Sequence, residues 1–167
     1  MLERKYLAHY IDAAFDATGA AAKYVRLGKD LEELTVEMNP TVETASNILG
    51  ENTARLTGYE MSASVEPYYV SHDEDLSAKL MEIVDSELTG DACRTTVVDV
   101  WLKPGTTPDA EPTVVKAVRR EVLVAVQSYG GDTSGVQIPF TLSGATNRTA
   151  GTFSLKDNTF TAGGLGL

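Results

Sequence analysis

Nine valines lie between Val97 and Val126, a density of β-branched side chains that suits pleated strands and disfavours helix. They mark two long strands, Arg94 to Leu102 and Thr113 to Tyr129, joined across Lys103-Pro104-Gly105-Thr106-Thr107-Pro108, whose proline and glycine content suits a hairpin tip. At roughly 3.3 Å per residue the second would span about 55 Å, more than a small domain needs, so a bend or bulge is expected near Arg119-Arg120. Both faces are apolar: Val98, Val100 and Leu102 on one side, Val97 and Trp101 on the other. A strand with one solvated face alternates cleanly between apolar and polar residues. These strands therefore call for cover on both sides, from a second layer of the chain or from another subunit.

The other elements are shorter. Residues Met1 to Ala22 fit either a frayed helix or an N-terminal arm lying on a neighbour. Tyr24 to Leu27 reads as a strand, Gly28-Lys29-Asp30 as a turn, and Leu34 to Met38 as a second strand with Leu34, Val36 and Met38 on one face. Asn39 to Asn52 is polar, with turn residues at both ends, and reads as a projecting hairpin or long loop. Thr53 to Val65 alternates loosely as a strand bounded by Pro67. A helix follows, with Ser71 and Asp73 as N-cap candidates, an apolar stripe of Leu76, Leu80, Ile83, Val84 and Leu88, and Gly90 closing it. Beyond the long strands, Gly130-Gly131-Asp132 is a terminator, Val136 to Leu142 a strand and Gly144 to Arg148 a turn. Thr152 to Leu155 pairs with Thr159 to Thr161 across Lys156-Asp157-Asn158. The architecture expected is mainly β: a sandwich or barrel with one flanking α-helix and long projecting loops, in one domain spanning residues 1–167.

Composition narrows the function. Hydrophobic residues at 43% and charged residues at 23% are ordinary for a globular chain. The net charge of −10 has the wrong sign for holding phosphates by counterion release, which argues against stable nucleic-acid binding. Charged residues interrupt any apolar run near the N-terminus long enough for a signal or a membrane span, so no membrane partner is expected. The lone Cys93 cannot form an intramolecular disulfide, and with His9 and His72 it cannot make the usual zinc site. Acidity is concentrated in residues 1–93, net −11, against net +1 for residues 94–167. Such asymmetry would favour one docking register between copies, although on charge alone a generally acidic, soluble surface is the better reading.

Chemical equipment is sparse. His72, Asp73 and a serine can be drawn as a triad, but no Gly-x-Ser-x-Gly elbow exists and His72 reads better as a helix-entry residue. Cys93 reads as a buried structural thiol. The acidic runs His72 to Asp75 and Glu32-Glu33 lack the ligand spacing of a calcium loop, and the glycines at 130, 131 and 135 precede a strand instead of a helix. No enzyme activity and no cofactor are expected.

One resemblance gives this pattern a function. Tyr24-Val25-Arg26-Leu27-Gly28-Lys29-Asp30-Leu31-Glu32-Glu33, then Met38-Asn39-Pro40 and Asn47-Ile48-Leu49-Gly50-Glu51, resemble the major tail tube proteins of phages and prophages of Gram-positive bacteria. Further blocks continue in order: Leu56 to Tyr59, Val65 to Tyr69, Thr95 to Val100, Ser128 to Gly135, Gln137 to Phe140, Asn147 to Phe153 and Thr159 to Thr161. The likeness runs from about Tyr24 to Thr161.

It implies the tail tube fold and a structural virion protein closing into hexameric rings, which stack into a hollow conduit for genome ejection. The implied partners are further copies of the chain, tape measure, tail-tip or baseplate and tail terminator proteins, and a sheath protein if the tail is contractile. The implied location is the virion tail, assembled in the host bacterial cytoplasm. Inter-subunit or inter-ring contacts are assigned to the loop Asn39 to Asn52, through Asn39, Pro40, Thr41, Glu43, Asn47 and Glu51. The tip Lys103 to Pro112 is the second contact, through Lys103 and Gly105. The two valine-rich strands are candidates for the lumen wall. Six copies bring roughly −60 formal charges per ring, and carboxylates lining a channel would repel passing DNA over a screened range of about 8 Å, so that it slides without sticking. Two alternatives remain: the inner tube of a tail-like bacteriocin particle, and a monomeric β-sandwich ligand-binding module using Trp101, Tyr59, Tyr68 and Tyr69.

Overall fold

A computed structural model describes residues 1–16, 18–29, 31, 33–103 and 114–163. Strands account for 52% of the chain, with one α-helix, and the main sheet curls into a half-barrel. In chain order the strands are β1 (Leu7–Asp12), β2 (Tyr24–Leu27), β3 (Val36–Glu37), β4 (Pro40–Ser46), β5 (Asn52–Tyr59) and β6 (Ser62–Val65). Helix α1 (Asp75–Ser86) follows, then β7 (Arg94–Trp101), β8 (Val114–Val126), β9 (Gly130–Asp132), β10 (Gly135–Gln137), β11 (Phe140–Ser154) and β12 (Thr159–Ala162). The main sheet runs β2-β1-β7-β8-β11-β6-β3, with β12 also paired to β11. The pairs β4-β5 and β9-β10 form separate two-stranded ribbons.

Side-chain alternation on the central strands supplies two apolar faces, and the chain covers one of them fully and the other in part. On one face, Ile11, Val122, Val124, Phe140 and Leu142 pack with Val65 and with Leu76 and Leu80 of α1. The opposite face gathers Tyr10, Tyr24, Val98, Val100, Ala117 and Phe153. Val98 and Val100 are fully buried within one copy. Of the two kinds of cover these strands call for, this side has the first: β1, β2 and β11 of the same chain supply it, and no second subunit is needed there. At about 25 cal/mol per Å² of apolar surface, each such valine contributes of the order of 1.5–3 kcal/mol.

Several elements differ from the sequence reading. Met1 to Ala22 supplies neither a frayed helix nor an arm over its length: Leu7–Asp12 form β1, buried between β2 and β7. The strand expected over Leu34–Met38 shrinks to Val36–Glu37. The bend expected at Arg119-Arg120 falls on the partner strand, where register shifts lie between Ser143 and Thr146 and between Thr146 and Thr149. The turn expected at Gly144–Arg148 is therefore two irregularities inside continuous β11, with Gly144 and Asn147 at positive φ of 66° and 50°. Helix α1 begins later than its predicted caps. Its N-cap is Glu74, and Glu87 in the left-handed region ends it before Gly90, its N–H bonded to the Ile83 carbonyl.

Candidate assembly surface

The β4–β5 ribbon projects from the body as an arm. Every residue of β4 and all of β5 except Gly58 are exposed, and no arm residue joins either apolar cluster. Its limbs pair Val42 with Leu56 and Thr44 with Ala54 on one face, and Glu43 with Arg55 on the other. A seven-residue limb at roughly 3.3 Å per residue reaches about 23 Å.

Both ends of the arm are braced by asparagine. At the root, Asn39 adopts φ 44°, in the left-handed region that asparagine tolerates. Its Nδ2 donates to the Glu60 carbonyl at 3.0 Å and to Ser62 Oγ at 3.2 Å. At the tip, Asn47 Oδ1 accepts from the Leu49 and Glu51 amides at 2.9 and 3.0 Å, while its Nδ2 donates to Glu51 Oε2 at 2.7 Å. The Gly50 amide donates to the Asn47 carbonyl at 3.1 Å, with Gly50 itself at φ 79°. This closed network leaves Ile48 and Leu49 pointing out, 103% and 77% exposed.

The contact residues named from the sequence thus divide by role. Asn39, Asn47 and Glu51 hold the arm's shape, whereas Pro40, Thr41 and Glu43 lie along an exposed limb. The second limb extends to Tyr59, beyond the Asn39–Asn52 segment. Lys103 is exposed, and Gly105 with residues 104–112 of the other tip lies outside the described residues. Val42, Ile48, Leu49 and Leu56, the apolar part of the arm, are absent from the sequence-based set. Their signal was an apolar pair inside a polar turn, which pattern alone reads as loop.

A second feature is the open mouth of the half-barrel. Helix α1 packs at one end of the face where Ile11, Leu76 and Phe140 meet. The same face continues along β1, β7 and β8 to a groove of about 640 Å³ lined by Leu7, Trp101 and Val118 and flanked by Val36, Met38 and Met61. Trp101 and Met38 are 63% and 47% exposed. On the groove floor Asp99 binds two partners: His9 Nδ1 lies 2.6 Å from Oδ1, and Arg120 Nη1 donates to Oδ2 at 2.9 Å. The other ring nitrogen of His9 is Nε2. That atom is buried without a hydrogen-bond partner among the described residues. Arg4 and Lys116 also line the groove, and neither is within ion-pair distance of a carboxylate among the described residues.

The aromatic set considered for a ligand module does not converge. Tyr68 is buried, its ring edge-on to Phe140 at 5.5 Å, Tyr59 ends the arm, Tyr69 bridges to Gln137, and Trp101 stands at the mouth. His72 is exposed in a turn before α1. Cys93 is buried, its thiol donating to the Leu88 carbonyl, and burial pushes its pKa up. No cluster of three or more metal-ligating side chains occurs among the described residues. No helix among them is long and apolar enough to cross a membrane. No protein-family model matches the chain, and no curated protein matches it.

Proposed function

We propose that this chain is a structural subunit that assembles through its arm into hexameric rings stacked as the hollow tail tube of a phage. The arm is the observation that carries this reading. An isolated two-stranded ribbon is marginal in water at best, and this one holds two bare aliphatic side chains at a braced tip, with Val42 and Leu56 along one face. Exposed apolar side chains gathered on one projecting element mark an interaction site. A contact between an arm and a different part of the next copy is heterologous, so it generates a ring where the rotation closes and an open helical filament where it does not.

The mainly β half-barrel agrees with the resemblance in the sequence, as do the long β8–β11 pair and the acidic first half of the chain. In the assembled tube the chain would meet tape measure, tail-tip and terminator proteins and pass DNA without holding it. Electron microscopy of the purified, concentrated protein tests the reading. Six-fold rings or tubes of stacked rings are the expected result; dispersed single copies at every concentration would overturn it.

A further inference from the structure

The arm needs a receptor, and we propose that the tip of one copy docks in the half-barrel mouth of the next, with Ile48 and Leu49 against Trp101, Met38 and Met61. This inference rests on the self-assembly reading and names the surface that reading leaves open.

Three observations converge on a second copy as the occupant. First, the arm cannot fill its own mouth. Met38 and Met61 flank both the arm's root and the groove, and the tip stands about 23 Å away along a paired ribbon. Folding it back would break the β4–β5 ladder. Second, the chemistry is reciprocal. The tip offers two exposed aliphatic side chains, and the mouth offers an exposed indole and thioether beside Leu7, Val36 and Val118, with the paired Asp99 on the floor. Thioether and aromatic surfaces adapt well to aliphatic knobs.

Third, the charges match locally although the molecules repel globally. Copies carrying net −10 oppose each other, so an acidic tip needs a basic place to land. Glu51 is the charged residue of the Asn47–Glu51 tip, while Glu43 on the adjoining limb is offset by Arg55 opposite it. In the mouth Asp99 is already engaged by His9 and Arg120, leaving Lys116, and an Arg4 whose guanidinium also donates to the Leu7 and Leu34 carbonyls, to meet the incoming carboxylate. Because a docked pair still has one free tip and one free mouth, the contact propagates.

Trp101 is the only tryptophan of the chain, so its fluorescence reports on the mouth directly. Concentrating the wild-type protein should raise light scattering and shift the tryptophan emission to the blue together, and Ile48→Asp or Leu49→Asp should abolish both. Leu49→Cys and Trp101→Cys chains, mixed and treated with a short bis-maleimide, should give a cross-linked dimer that neither chain gives alone; buried Cys93 does not compete. Scattering that rises with unchanged emission and no such dimer would overturn the mouth as receptor while self-assembly stood. No scattering at any concentration would remove both.

Discussion

The ring of Phe153 lies 4.4 Å from that of Tyr10, centroid to centroid, although three strand-to-strand steps separate β11 from β1 in the sheet. A flat sheet would hold those strands about 14 Å apart at roughly 4.8 Å per step. The contact exists because the sheet bends between these strands, and Tyr24, edge-on to Phe153 at 5.9 Å, completes the cluster. Phe153→Ala should therefore cost about 3–5 kcal/mol, read as a lower urea midpoint. A loss under about 1 kcal/mol would mean that the strand ladder alone holds the curvature.

Asp99 gives a second case. Its side chain is 19% exposed and binds His9 and an Arg120 that is 17% exposed. Asp99→Ala leaves a largely buried guanidinium without its carboxylate, and the expected loss is about 3 kcal/mol, the lower end of the range for such pairs. Pairing it with Arg120→Met should restore most of that stability. A double variant as unstable as the single one would contradict the uncompensated-charge argument.

The tip network predicts a separation between local order and global stability. Asn47→Ala removes the acceptor for the Leu49 and Glu51 amides and the donor to the Glu51 carboxylate. Amide hydrogen exchange at Leu49 and Glu51 should speed up while the thermal midpoint of the body stays unchanged, because the arm lies outside both apolar clusters. Assembly should weaken in the same variant.

Alkaline pH should act through Tyr68. Burial pushes its phenol up to about 12, with the neighbouring Glu74 carboxylate adding to the rise and the Ser77 hydroxyl opposing it. In the unfolded chain a tyrosine titrates near 10. Below about pH 10 both states keep the proton and stability is whole; above it the unfolded state releases its proton first, so stability falls as pH rises through about 12. Burial also raises Tyr10 and Tyr24. Tyr68→Phe should flatten part of this decline, seen as a smaller drop in urea midpoint between about pH 9 and about pH 11.

Legibility followed the range of the interactions involved. The pairing of Thr152–Ser154 with Thr159–Thr161 and the stripe of Leu76, Leu80 and Ile83 were readable because neighbours in sequence settle them. Strand β1 was not, because His9 and Asp12 interrupt its apolar pattern. Their burial depends on partners elsewhere: Asp99 for His9, and for Asp12 the amides of Ala14, Asp16 and Lys23. The mouth was invisible for the same reason, since its lining comes from six stretches between Arg4 and Arg120 that only the sheet order brings together. The arm was half legible: its turn residues marked a projection, but nothing in the pattern showed Ile48 and Leu49 to be bare.

The ribbon that carries them also works as a ruler. Paired limbs cannot stretch, so the number of rungs between Asn39 and Asn47 sets how far apart an arm can hold two bodies. Adding two residues to each limb would lengthen the spacing by about 7 Å and keep Val42 and Leu56 on the same side. Adding one would turn the tip over, presenting its greasy surface to water and its charges to the neighbour. The periodicity of the finished particle would then be written in the parity of a hairpin.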